Sequence, residues 1–223
     1  MASGRGLTRE RILETALRLI DSEGLPALSM RRLGQELGVE AMALYKHVPS
    51  KQALLDGVVG LTLAGLHVPT DDSVARRAGE SDDLITHSDL SGIFRSFRRL
   101  LQEHPNVLPL LASRPFGSVE GLTWAREALA LLRAGSLPET VVLSTFHALL
   151  GFTLGYAFLE AGGFIGDIPE TEPLLRTNLG EMAKRQGTLV PGLDDYPVDW
   201  DHEADFTAGL GLIVAGAMGA APG

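Results

Sequence analysis

The residues best placed to do chemistry sit in one short run, Ser29-Met-Arg-Arg-Leu-Gly-Gln-Glu-Leu-Gly38-Val-Glu-Ala-Met-Ala-Leu-Tyr45-Lys-His-Val48. Its pattern is that of a helix-turn-helix. A small residue stands in the sharp turn (Gly38), and apolar residues lock the two helices together (Leu33, Leu37, Val39, Leu44, Val48). The second helix opens on Glu40-Ala41-Met42-Ala43, small enough at its tip for the backbone to enter a major groove. The chemistry on offer is recognition of phosphates and base edges. Catalytic arrangements are thin by contrast. His47, His67, His87, His104, His147 and His202 are dispersed without a His-Glu-x-x-His pair, and the lysines (Lys46, Lys51, Lys184) complete no phosphate-binding loop. Gly209-Leu-Gly211 follows no strand and reads as helix packing, while Asp194-Asp195 reads as a solvated loop. The chain has no cysteine, which excludes disulfides and thiolate metal sites and suits a reducing cytoplasm.

Charge permits DNA binding without requiring it. The net charge of -9 over 223 residues is unevenly spread: residues 1–56 hold eight Arg/Lys against seven Asp/Glu, and residues 57–223 hold eleven against twenty-one. The polar N-terminus leads into no apolar signal core. The most apolar run, Ala208 to Ala221, is about 14 residues and too short to span a bilayer. A soluble, cytoplasmic protein with no membrane partner is expected.

The elements that must position this run are helical. Thr8 caps a first helix that Leu7 staples onto Ile12; Ile12, Leu13, Ala16, Leu17, Leu19 and Ile20 form its apolar face, and Gly24 and Pro26 end it. Ser29 caps the second helix, with Met30, Leu33 and Leu37 facing inward. The third runs from Glu40 to Val48, and Pro49-Ser50 recaps a fourth from Lys51 to about Leu66. Residues 67–88, acidic and scattered with small residues, read as a linker. Helices resume at about 89–103, 105–111, 117–134, 138–162, 170–186 and 201–219. Period-two alternation is almost absent, so the fold class is all-α. The 138–162 helix is apolar nearly all round and must be covered on every side, which points to a partner chain.

On these residues the stretch Leu7 to Leu66 resembles the DNA-binding domain of the tetracycline-repressor (TetR) family. The resemblance rests on Leu44-Tyr45-x-His47-Val48-x-x-Lys51-x-x-Leu54-Leu55, preceded by Ala16-Leu17-x-Leu19-Ile20 and Gly24-x-x-x-Leu28-Ser29. It implies that Tyr45 and Lys51 bind phosphate, chemistry that suits a phenol and an ammonium at a helix N-terminus. It also implies that Arg31 reaches a base edge and that Ala41, Met42 and Ala43 hold the base-reading positions. Ser29, Lys46 and His47 complete the expected DNA-contacting set. The tetracycline repressors themselves carry polar residues and a proline at the reading positions, so the operator should differ, with contacts to thymine methyls.

Arg114-Pro115 and Gly151-Phe152-Thr153-Leu154-Gly155 resemble landmarks of the C-terminal domain of the same repressors. Residues 89–223 are then an effector-binding and dimerisation domain, whose 138–162 and 201–219 helices form a four-helix bundle with their two-fold mates. Phe94, Phe97, Arg98, Trp124, Phe146, His147 and Tyr156 are the expected effector-pocket lining. Drug-binding members carry a histidine for drug-chelated magnesium four residues before the matching arginine, where this chain has Leu110. No metal and no cofactor is therefore expected. The expected whole is a homodimer that binds a palindromic double-stranded operator and is released by a small, mostly apolar effector. The rival readings are a ligand-independent or activating regulator, or an all-α enzyme or dimerisation module that does not bind DNA.

Overall fold

The computed structural model describes residues 6–66, 82–114, 116–135, 137–161 and 201–219, with only the helical backbone for 82–89. Among them every regular element is a helix. We number these α1 (Arg9–Glu23), α2 (Met30–Leu37), α3 (Ala41–Leu44), α4 (Lys51–Leu63), α5 (Asp82–Glu103), α6 (Leu108–Ser113), α7 (Val119–Ala134), α8 (Glu139–Ala161) and α9 (His202–Gly219). Short 3-10 turns at Leu25–Ala27 and Pro105–Val107 join α1 to α2 and α5 to α6.

Hydroxyl caps set the starts. Thr8, Ser29, Ser50 and Ser118 each accept a hydrogen bond from the backbone N–H three residues on, at 3.0–3.2 Å, so each helix begins with one of its orphan donors satisfied. Glycine sets two of the stops. Gly24 ends α1 at φ 81°, its N–H bonded to the Ile20 carbonyl. Gly38 ends α2 in the left-handed region at φ 69°, where any Cβ would be strained.

Two expected elements change their bounds. The third helix is α-helical only over Ala41–Leu44, and residues 45–47 continue as a tighter turn in which the His47 N–H bonds to the Leu44 carbonyl. Pro49 explains this, because it disfavours helical geometry at the residue before it. α5 begins at Asp82, inside the stretch read as linker. Residues 82–91 contain neither glycine nor proline, so a helix anchored by buried Leu90, Ile93, Phe94 and Phe97 extends back through them. The 67–81 part of the expected linker and the expected 170–186 helix lie outside the described residues. Among the described residues, the helix long and apolar enough to cross a bilayer by length and composition is α8 (mean hydropathy 1.6). α8 is apolar because it is the central helix of the C-terminal part, packed on α5, α7 and α9.

The N-terminal helices close around Ile12, Ala16, Ile20, Leu33, Leu44, Val48, Leu54 and Val58, all fully buried. α1 lies against α4, and α2 against α3. The apolar core runs on without a break into the C-terminal helices, because α4 packs on α7 and α1 on the Pro105–Val107 turn.

Candidate nucleic-acid interface and effector site

The approach of α2 to α3 depends on a residue that the sequence pattern did not single out. A Cβ on Gly34 would lie 2.8 Å from the Val39 carbonyl oxygen and 3.3 Å from the Ala41 nitrogen. Both are backbone atoms and cannot swing aside, so Gly34 sets how closely α2 sits on the start of α3. Its only sequence signal is a glycine on the buried side of a short helix.

That packing leaves the reading tip outward. Met42 is 71% exposed, with Ala41 and Ala43 half-buried on either side of it. Tyr45 and Lys46 are exposed and His47 is half-buried, in the turn leading to α4. Lys51 is exposed as the first residue of α4, where the helix N-terminus favours an anion. On α2, two neighbouring arginines behave differently. Arg32 is engaged by Glu23 (2.6 Å) and Glu36 (2.9 Å), while Arg31 is exposed and makes no ion pair with the described residues. Ser29 is exposed, and its oxygen is occupied as the α2 cap.

The expected effector-lining residues fall into two groups with different environments. Phe94 (5.6 Å, edge-on), Phe97 (4.9 Å) and Phe146 (5.9 Å) surround the Trp124 ring, measured between centroids. Phe116, absent from the expected set, lies 6.2 Å from Phe146 and is 37% exposed, so the cluster reaches the surface there. The Trp124 indole nitrogen is buried with no hydrogen-bond partner among the described residues.

The second group is an ion-pair knot. Arg98 is only 4% exposed, donates from Nε and Nη2 to the two carboxylate oxygens of Glu160, and bonds Glu203 through Nη1 at 2.8 Å. Its guanidinium lies over the Tyr156 and Phe206 rings at 5.0 and 4.8 Å. Burial opposes the charge, but the hydrogen bond and charge of Glu160, helped by Glu203, outweigh it and raise the Arg98 pKa. Tyr156 donates to Asp205 at 3.0 Å; burial first and that hydrogen bond second push its phenol pKa up. Arg98 and Tyr156 therefore tie α5, α8 and α9 together and are not available as polar anchors of a pocket. His147 differs from both groups in burial, though its ring lies 5.9 Å from that of Phe146. It is exposed on α8, on the side that carries Leu143, Gly151 and Gly155. On a helix apolar all round, periodicity does not say which side faces in.

Among the described residues, three polar contacts join the two parts of the chain. Arg114 Nη1 meets Asp56 Oδ1 of α4 at 2.5 Å. At the far end of α1, Asp21 accepts from the Asn106 side chain through its carbonyl (2.9 Å) and meets His104 Nδ1 through its carboxylate (3.0 Å).

The comparisons with known proteins fit this arrangement. The model described as bacterial regulatory proteins, tetR family, matches residues 12–58, and that for the tetracyclin repressor-like C-terminal domain matches residues 82–218. The chain belongs to the tetracycline-repressor (TetR) family. It is 38% identical over 216 residues to the Escherichia coli tetracycline repressor protein class D, covering 94% of this chain and 88% of the relative. A Saccharopolyspora erythraea HTH-type transcriptional regulator is 28% identical over 94% of this chain and 84% of its own length. Among structures, the Streptomyces coelicolor TetR family protein ActR in complex with actinorhodin superposes with a TM-score of 0.77 at 29% identity, over 98% of this chain and 100% of that one.

As a TetR-family chain this is a DNA-binding transcriptional regulator of the ligand-responsive repressor kind, and not an enzyme. Its two matched regions fall on the helix-turn-helix part and on the helices that hold the aromatic cluster. Leu110, four residues before Arg114, is buried in the core.

Proposed function

We propose that two copies of this chain bind a palindromic operator and that a small, mostly apolar effector releases them. The effector binds without a metal in the cluster of Phe94, Phe97, Trp124 and Phe146, which Phe116 extends to the surface. The observation that carries the DNA-binding part is the outward Met42 between half-buried Ala41 and Ala43 on α3, with an exposed Arg31 on α2 that makes no ion pair with the described residues. Arg31 pairs with a guanine edge, Met42 and the alanines meet thymine methyls, and Tyr45, Lys46, His47 and Lys51 hold phosphates. The complex of the Streptomyces coelicolor protein ActR with actinorhodin supports a small-molecule effector.

A second copy covers the outer sides of α8 and α9. Leu143, Phe158, Leu159, Leu212 and Met218 are exposed there, Leu212 at 74%. Gly151, Gly155 and Gly216 have open space where a Cβ would point, so another helix can approach closely. The dimer holds two copies of α3 about one DNA turn apart (~34 Å, or a multiple). The effector favours a dimer geometry with the wrong spacing and so lowers operator affinity by differential binding. This takes place in the cytoplasm, where the operator is.

Selection of bound sequences from randomised duplexes tests the reading, with light scattering on the same samples. The expected result is a dimer and a two-fold symmetric consensus, with Leu212→Glu producing a monomer that no longer selects it. A wild-type monomer, or a consensus without symmetry, would overturn the dimeric operator complex.

A further inference from the structure

The Trp124 nitrogen asks for a partner that no described residue supplies. Its side chain is 5% exposed and Nε1 is sealed from solvent without a hydrogen bond. An indole N–H can only donate, and a donor buried without an acceptor has given up water for nothing. The rings around it, Phe94, Phe97 and Phe146, carry no oxygen or nitrogen in their side chains. A ring face is at best a weak, second-order acceptor. The other unpartnered buried atoms differ in kind. Asp21 Oδ1 belongs to a carboxylate already bonded through its second oxygen, and His202 Nδ1 sits at the N-terminus of α9 beside the ion-pair knot. Trp124 alone of these has its sole polar side-chain atom unsatisfied, and it lies in the middle of an apolar cluster.

Resting on the reading of this cluster as the effector site, we propose that Trp124 Nε1 is the directional anchor of the effector. The effector is then a planar aromatic molecule with an uncharged carbonyl acceptor on or in its ring system. A pure hydrocarbon leaves the N–H unpaired, and a ligand with only donors adds another unpaired group beside it. A carboxylate is disfavoured because the nearest buried cation on α5, Arg98, is already held by Glu160 and Glu203. An anion in the cluster would be buried without a counter-charge. Tilted rings on several sides of the indole suit a flat guest, and the exposed ring of Phe116 beside Phe146 marks its route from the surface.

The test uses the full-length protein and two probes with one skeleton, 9-fluorenone (C=O) and fluorene (CH2), titrated by calorimetry. Wild type is expected to bind 9-fluorenone about tenfold more tightly than fluorene, a ratio worth ~1.4 kcal/mol. Trp124→Phe, which removes the N–H and keeps an aromatic ring, is expected to bring the ratio to about one. The ratio is the readout because any space opened by the smaller ring is offered to both probes alike. On wild type, 15N-labelled indole spectra, with Trp200→Phe to assign the signals, should show the Trp124 N–H proton moving downfield with 9-fluorenone and not with fluorene. This measurement decides the matter if Trp124→Phe does not fold. Equal binding of both probes to wild type, or an unchanged ratio in Trp124→Phe, would overturn the anchor and leave the effector site standing. Failure of both probes to bind wild type would overturn the effector site and the anchor with it.

Discussion

Arg114 and Asp56 form an ion pair that bridges the two parts of the chain: Nη1 of Arg114, at the end of α6, lies 2.5 Å from Oδ1 of Asp56 on α4. Lys51, a proposed phosphate contact, begins that same helix five residues earlier. The same carboxylate packs on the backbone of Gly117, where a Cβ would lie 2.9 Å from Asp56 Oδ1. A shift of α6 or α7 would therefore act on α4, the helix proposed to hold phosphate through Lys51. For a partly exposed pair, a double-mutant cycle with Asp56→Ala and Arg114→Ala should show a coupling of ~0.5–1 kcal/mol in denaturant unfolding. Strict additivity of the two substitutions would mean that the pair does not link the domains.

Lys51 and Tyr45 should separate by salt. If both contact phosphate, Lys51→Ala and Tyr45→Phe each weaken binding to all duplexes alike. Only the lysine displaces a counterion, so Lys51→Ala should lower the slope of log affinity against log salt by ~0.9, while Tyr45→Phe leaves it unchanged. Fluorescence anisotropy at several salt concentrations measures both. In the same assay Arg31→Ala should lose ~1–3 kcal/mol of discrimination at one base pair and keep its affinity for random DNA nearly intact. Altered base preference in Lys51→Ala would contradict the assignment.

Gly34→Ala should be costly in an unusual way. Its Cβ meets backbone atoms of Val39 and Ala41, so α3 itself must move, and unfolding experiments should show a loss of ~1–3 kcal/mol. Operator affinity should drop even under conditions where the variant is fully folded. Gly38→Ala, at φ 69° with nothing near its Cβ, should lose ~1–2 kcal/mol through backbone strain alone. Full operator affinity in folded Gly34→Ala would show that the α2–α3 spacing tolerates the methyl group.

Tyr156 makes stability fall in alkali. An ordinary tyrosine ionises near 10.0, and burial together with the bond to Asp205 holds this one protonated to higher pH. Above pH ~10 the unfolded chain gives up its proton before the folded chain does, so the contribution of Tyr156 is complete below that pH and is lost as pH rises further. Tyr156→Phe should cost ~1 kcal/mol at neutral pH, and the gap to wild type should narrow above pH ~10. Urea unfolding at pH 7, 9, 10.5 and 11.5 checks this; a gap that stays constant with pH would remove the tyrosine from the alkaline response.

The sequence by itself determined the all-α class, the helix-turn-helix and most helix limits, because these follow from local rules. Thr8, Ser29 and Ser50 cap helices through bonds to the third residue on, and Gly24 and Gly38 stop them where the backbone must turn left-handed. The 3.6-residue period of Ile12, Ala16 and Ile20 marks a buried side without reference to the rest of the chain. The outward position of Met42 follows from equally local packing, since α3 is short and lies against α2. Tertiary structure decided the rest. α8 is apolar on every side, so only its neighbours could place Phe146 and Tyr156 inward and leave His147 outside. The partners of Arg98 lie 62 and 105 residues away, beyond any local pattern. A charged or polar side chain in an apolar neighbourhood has the same sequence signature whether it waits for a ligand or is already paired. Three-dimensional contact alone separated Trp124, whose N–H is unpaired, from Arg98 and Tyr156, whose polar groups are bound.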